Sequence, residues 1–266
     1  MRKSRLILMS VNLIMLLMIF PGISDAAISQ DSVVALWLFD EADGDILKDS
    51  SGNQHNGNII GAPSWEDGKF GLAINVDGST YIRIPHAEDL SLETYTITFW
   101  LASESAGGWV PVFSKSGGNE TRNYALFFVE NTGVAAMSVS DGTSWIDVNS
   151  GVKANDGNWH YVAMTFDKNS GEATLFFDGE EKAKGTIVMG PFLSEFDIVF
   201  AAWHNTAIGN EGYTGKFDDA GIFSDILTQE DIQNIMTTGL KESVGVLAVE
   251  PIHKIATTWG KIRAAY

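Results

Sequence analysis

The chain has no cysteine among its 266 residues. That absence removes disulfides, thiol nucleophiles, thiolate zinc sites and iron–sulfur clusters together, so the folded protein must be held by its core alone. About 240 residues remain once the leader described below is set aside, and a chain of that size buries most of the surface it exposes when unfolded. Basic residues are also scarce. Seventeen Lys and Arg face 34 Asp and Glu, a net charge of −17. Without Arg2, Lys3, Arg5 and Asp25 the count is 14 basic against 33 acidic, hence −19. Such a surface repels phosphate backbones, which argues against nucleic acid as a partner, and it suits solubility and attraction for divalent cations.

Long helical periods are missing before Thr228, so a parallel α/β fold lacks its crossover helices. Turn signals instead recur every 8 to 12 residues or so: Asp43-Gly44, Asp67-Gly68, Asp77-Gly78, Gly117-Gly118, Asp141-Gly142 and Asp156-Gly157 among them. Between them run alternating or apolar segments such as Val33–Phe39, Thr94–Leu101 and Tyr124–Glu130. This spacing predicts two antiparallel sheets packed face to face. Tyr161–Asp167, Ala173–Asp178 and Lys182–Val188 read as a three-stranded meander, with Lys168–Gly171 and Asp178-Gly179 as its turns. One helix is signalled over Leu227–Met236, with Thr228 as cap and Asp231 three residues on, and Gly239 as its end. It is expected to close one end of the sandwich.

The first 26 residues read as a secretory leader. Arg2, Lys3 and Arg5 precede an apolar run, Leu6–Phe20, and Ser24-Asp25-Ala26 places small residues where a signal peptidase reads. The run is shorter than the about 20 residues a membrane span needs, so no stable span is expected after cleavage. The sandwich is assigned to residues 27–240. Residues 241–266 form a tail, with a short strand over Ser243–Val249 and an amphipathic helical stripe of Ile255, Trp259, Ile262 and Tyr266.

The motifs fall in a recognisable order. Trp37-Leu38-Phe39-Asp40-Glu41, Asp49-Ser50-Ser51-Gly52-Asn53, Lys69-Phe70-Gly71, Thr96–Trp100, Asn158-Trp159-His160, Phe177-Asp178-Gly179 and Gly215–Phe223 together resemble the laminin-G-like jelly rolls of the concanavalin A-like superfamily. The resemblance implies an all-β, two-sheet antiparallel jelly roll that binds sugars or extracellular proteins. It also implies a structural calcium ion, with Asp49 and Asn53 of the first loop, Asp218 of the closing strand and Asp40 as its oxygen ligands. Calcium takes six to eight hard oxygens, which these side chains could supply in part. The alternative for the same residues is turn formation and strand hydrogen bonding.

Catalytic constellations are thin. Some glycoside hydrolases of this sandwich carry Glu-x-Asp-x-x-Glu on one strand. Here Glu195-Phe196-Asp197-Ile198-Val199-Phe200 ends in a phenyl ring, which can donate no proton, so a retaining carboxylate pair cannot form there. No Gly-x-Ser-x-Gly elbow and no His-x-x-x-His pair occurs. A degenerate glycoside hydrolase is thus the third reading, behind a carbohydrate-binding module and a protein-interaction or adhesion module. Sugar binding needs an exposed aromatic platform with polar neighbours. Trp37, Trp100 and Trp159 sit inside strand motifs and are assigned to the core. Trp109, Trp145 and Trp203 follow glycine-rich or polar loops and are the platform candidates, with His204 and Asn205 as polar partners and Glu211 and Tyr213 beside them.

Overall fold

The computed structural model describes residues 28–187, 191–203 and 212–245. The leader, His204, Asn205, Glu211 and the tail beyond Gly245 lie outside the described residues. Among the described residues sixteen strands follow in order. The first eight are β1 (Val33–Trp37), β2 (Ile46–Leu47), β3 (Gly57–Ile60), β4 (Ser64–Asp67), β5 (Leu72–Asp77), β6 (Tyr81–Ile84), β7 (Tyr95–Ser103) and β8 (Val110–Ser116). The rest are β9 (Arg122–Phe128), β10 (Val134–Ser140), β11 (Trp145–Lys153), β12 (Trp159–Asp167), β13 (Glu172–Phe177), β14 (Glu180–Thr186), β15 (Ile198–Phe200) and β16 (Thr214–Phe223).

They form two eight-stranded sheets. One runs β14-β13-β12-β7-β16-β5-β4, with β1 also paired to β16; the other runs β11-β10-β9-β8-β15-β6-β3-β2. Every named pairing is antiparallel, so the fold is the all-β jelly-roll sandwich expected. Long, β-branched and aromatic strands explain why: alternate residues such as Tyr124, Leu126 and Phe128 point into one core while their neighbours point out. The predicted meander forms as β12-β13-β14. Its second turn has positive φ at both Asp178 (51°) and Gly179 (76°), the backbone of a tight hairpin whose twist matches its strands.

At the centre of the sandwich, Phe200 meets Phe113, Phe217, Trp37, Phe39 and Phe99, with ring centroids 4.7 to 6.3 Å apart. Phe200 is fully buried, so the position that a carboxylic acid would hold in a hydrolase strand is an aromatic core residue. Aromatic pairs in these geometries add to simple burial.

A second, smaller core covers the outside of the β1-containing sheet. The helix α1 (Gln229–Thr238) carries the capping box foreseen at Thr228 and Asp231. Its Ile232 and Ile235 pack with Leu36, Trp100, Tyr161 and Phe176. The helix therefore lies on an outer sheet face rather than closing an end, because β1, β7, β12 and β13 present apolar side chains on both faces. A short helix α2 (Leu240–Ser243) follows, and Val244 is buried in the same cluster. Ser243 thus ends a helix instead of starting a strand, and residues to Gly245 belong with the sandwich.

Candidate functional site

The outward face of the second sheet carries a well-developed cleft. Cross-strand pairing sets Asp147, Ser138, Ala125, Ser114 and Val199 in one row from β11 to β15. The middle of that row is small, which leaves space above the sheet. Arg122, at the start of β9, reaches across this floor. Its Nη1 donates to Ser138 Oγ at 2.8 Å and lies 3.5 Å from the Asp147 carboxylate, and its Nη2 donates to Asn119 Oδ1. The guanidinium carbon stands 5.6 Å from the ring centroids of both Phe127 and Trp203. Phe127 in turn contacts Trp203 at 6.0 Å and Trp109 at 5.3 Å. Arg122 is only 9 % exposed and its Nε–H has no partner. Burial pulls its pKa below the ordinary arginine value, against the pull of Asp147 and Glu120, and it stays cationic.

The cleft holds about 520 Å³ and is lined by Trp109, Trp145, Trp203, Phe127, Arg122 and Asp147, together with Ser116, Gly118 and Asn119. Trp109 and Trp145 are 40 % and 41 % exposed, unusual for so large an apolar side chain. The three tryptophans singled out by their loop settings thus come together in one place, from the loop before β8, the start of β11 and the segment after β15. Sequence reasoning missed Arg122 and Phe127, the residues on which they are assembled. The signal was available as alternation: Phe127 sits between the core residues Leu126 and Phe128, so it must face outward.

Tyr213 does not join this cluster. It is fully buried, stacks on Phe217 at 4.5 Å and donates its hydroxyl to a main-chain carbonyl, at 3.1 Å from that of Lys216. Trp37 and Trp100 are core residues, as expected, whereas Trp159, also assigned to the core, is only half-buried against the second one. His160 is held by Asp178 at 3.0 Å and Asp156 at 3.2 Å, a structural pairing.

The four candidate metal ligands stand apart from one another in their uses. Asp49 accepts from the main-chain N–H of Leu36, Ser51 and His55 at 2.8–3.0 Å and from the Ser51 hydroxyl at 2.8 Å. Asn53 donates its amide to the carbonyls of Val33 and Val34. Asp40 accepts from Leu72 N–H at 2.8 Å. Asp218 accepts from Lys69 and Phe70 N–H at 2.6 and 3.0 Å, while its Oδ1 is buried without a partner. Among the described residues no three His, Asp or Glu side chains converge on a point where one ion could be held. Each of the four thus fastens a loop: Asp49 and Asn53 to β1, Asp40 to the start of β5, and Asp218 holds the Lys69-Phe70 loop to β16. The orphaned Asp218 oxygen alone cannot replace six ligands.

Two antiparallel sheets of eight strands, with an aromatic cleft on an outer face, define a jelly roll. Residues 76–233 match the family model described as the concanavalin A-like lectin/glucanases superfamily, and the chain belongs to that superfamily as a laminin-G-like domain. It is similar to C-reactive protein 1.4 of Limulus polyphemus, with 26 % identity over 151 residues; the match covers 54 % of this chain and 62 % of that protein. In fold it is similar to domain 4 of AbnA, a GH43 extracellular arabinanase from Geobacillus stearothermophilus, solved with arabinotriose. That likeness has a TM-score of 0.64 and 22 % identity, and covers 77 % of this chain and 98 % of that one. The binding domain of Paraclostridial Mosquitocidal Protein 1 is similar at a TM-score of 0.63 and 16 % identity, over 78 % of this chain and 52 % of that one. Among the described residues no helix is long and apolar enough to cross a membrane.

Proposed function

We propose that this protein is a secreted, non-catalytic carbohydrate-binding module. The observation that carries the proposal is the meeting of Trp109, Trp145 and Trp203 with Arg122, Asn119 and Asp147 in one cleft. Sugar rings offer apolar C–H faces and a rim of hydroxyls. Aromatic planes beside a hydrogen-bonding pair match both, and a few precisely placed polar groups in an aromatic pocket are the usual design of a ligand site. The absence of a second carboxyl in the β15 motif supports binding without hydrolysis, since Phe200 is locked in the core. The leader read in residues 1–26 supports export, and the loop-fastening roles of Asp49 and Asp218 support a module that works without a calcium ion shared between them.

A second reading is an extracellular protein-interaction or adhesion module. It is favoured by the exposure of Leu193 and Phe196 in addition to the tryptophans, since exposed apolar side chains mark protein-contact surfaces when they cluster. Glycan-array screening of the mature protein separates the two. Glycan binding of micromolar to millimolar strength, on the order expected for stacking plus a few hydrogen bonds, should be lost in Trp203→Ala while the circular dichroism spectrum is retained. Half-buried Trp203 packs on one phenyl ring and one guanidinium, outside both cores. A wild-type protein that binds no glycan but captures a protein ligand through the same face would establish the second reading instead.

A further inference from the structure

The cleft's charge and shape restrict what it can hold. Resting on the carbohydrate reading above, we propose that the ligand is a neutral oligosaccharide chain of at least two rings, and that the Arg122–Asp147 pair selects against acidic glycans.

The charge argument begins with Asp147. Its carboxylate lies 3.5 Å from Arg122, so among the described lining residues the one cation is already matched by one anion. A neutral sugar can use both groups at once, accepting from the guanidinium through one hydroxyl oxygen and donating to the carboxylate through another. Both are charge-assisted hydrogen bonds, the stronger kind. A uronate or sulfate would have to displace Asp147 from Arg122 or lie beside it, and it would approach a chain of net charge −17. Arg122 is itself immobilised by Ser138 and Asn119, which leaves it little freedom to swing out toward an anion in solution.

The length argument comes from strand order. Trp109 precedes β8 and Trp145 begins β11, and β9 and β10 lie between. Three strand spacings are about 14 Å. The two strands run antiparallel to each other, and Val110 pairs with Phe128 at one end of the sheet while Trp145 pairs with Ser140 toward the other. The two exposed rings therefore stand at diagonal ends, with Phe127, Trp203 and Arg122 between them. One sugar ring cannot touch both ends, whereas a short chain can lie along the diagonal.

The test is calorimetry of the full chain against two matched series: neutral xylo-, arabino- and cello-oligosaccharides from one to six units, and oligogalacturonides of the same lengths. The proposal expects at least a tenfold gain in affinity from one unit to three in some neutral series, little change between low and high salt, and no oligogalacturonide binding. Asp147→Asn, at an exposed position, should weaken the neutral ligand and raise oligogalacturonide affinity at least tenfold, since Arg122 is then unmatched. Binding of oligogalacturonides by the wild type, or equal affinity for one unit and three, overturns this inference and leaves the carbohydrate reading standing. An Asp147→Asn protein with unchanged preferences overturns the role of the pair. Binding of no glycan by any measure removes the carbohydrate reading and this inference with it.

Discussion

Replacing Asp218 by Asn should stabilise the protein at alkaline pH and do little at acid pH. Asp218 is fully buried on β16, where Oδ2 accepts two main-chain N–H groups and Oδ1 accepts none. Burial pushes its carboxyl up to about 7 from an ordinary 3.8, helped by the neighbouring Asp219 and opposed by the Phe70 and Lys69 N–H bonds. A carboxyl whose pKa is raised by folding binds its proton more tightly in the native state. Its contribution to stability is therefore complete below about 3.8 and is lost as pH rises through about 7. Roughly 3 pH units at about 1.4 kcal/mol each give a penalty of about 4 kcal/mol at pH 8, most of which is absent near pH 4.5. Asparagine is never charged and keeps one oxygen for the two N–H donors. The variant should gain about 3 kcal/mol on the wild type between pH 4.5 and pH 8, or roughly 6 to 12 °C of melting temperature for a domain of this size. Asp219, pushed up to about 6 by burial, titrates in the same direction. Only the difference between variant and wild type therefore isolates Asp218. Urea unfolding at the two pH values measures it. A variant destabilised equally at both would refute the reasoning, because it would mean that the buried charge carries no desolvation cost in solution.

Other consequences are separable. Phe200→Ala should cost about 3–5 kcal/mol, the price of emptying an aromatic core site, and the wild-type protein should release no reducing ends from β-glucans. Release that vanishes in Glu195→Gln would contradict the second half. Chelation with EDTA should leave the melting temperature unchanged, since a ligand bound only by the native state would otherwise stabilise it; a drop that Asp49→Ala abolishes would restore the shared calcium shell. His160, whose pKa is raised above 6.5 chiefly by its bond to Asp178, stabilises the fold fully below about 6.5 and loses that contribution as pH rises through its folded value. An imidazole titration by NMR should show a midpoint above 6.5 that falls in Asp178→Asn, and a midpoint at or below 6.5 would contradict the pairing.

Local grammar was legible before the structure. The meander and its Asp178-Gly179 turn follow from residues adjacent in the chain, as does the Thr228–Asp231 capping box, and each forms where it was expected. What failed to show was which face an element covers. The α1 helix was expected at an end of the sandwich, yet the outward apolar residues Leu36, Trp100 and Tyr161 demanded a cover on a sheet face. Asp49 and Asp218 looked alike as oxygen donors, and their roles as loop clasps come from main-chain partners up to 149 residues away, which no local pattern displays. The cleft lies between these extremes. Its tryptophans stood out by their loop settings, but their convergence depends on β8, β9, β11 and β15 lying in one sheet, with β15 inserted beside β8 from far along the chain. Arg122 was hidden because its role comes from Ser138 and Asp147 on two neighbouring strands.

The central claim, that sugars are held where three tryptophans converge, is tested most directly by watching the indole N–H signals of the eight tryptophans during titration with neutral oligosaccharides. The signals of Trp109, Trp145 and Trp203, assigned by single Phe substitutions, should shift together and saturate at one concentration, while those of Trp37 and Trp100 in the two cores stay in place. Saturable shifts that spare all three cleft tryptophans, or no shift with any glycan that the protein retains, would contradict it.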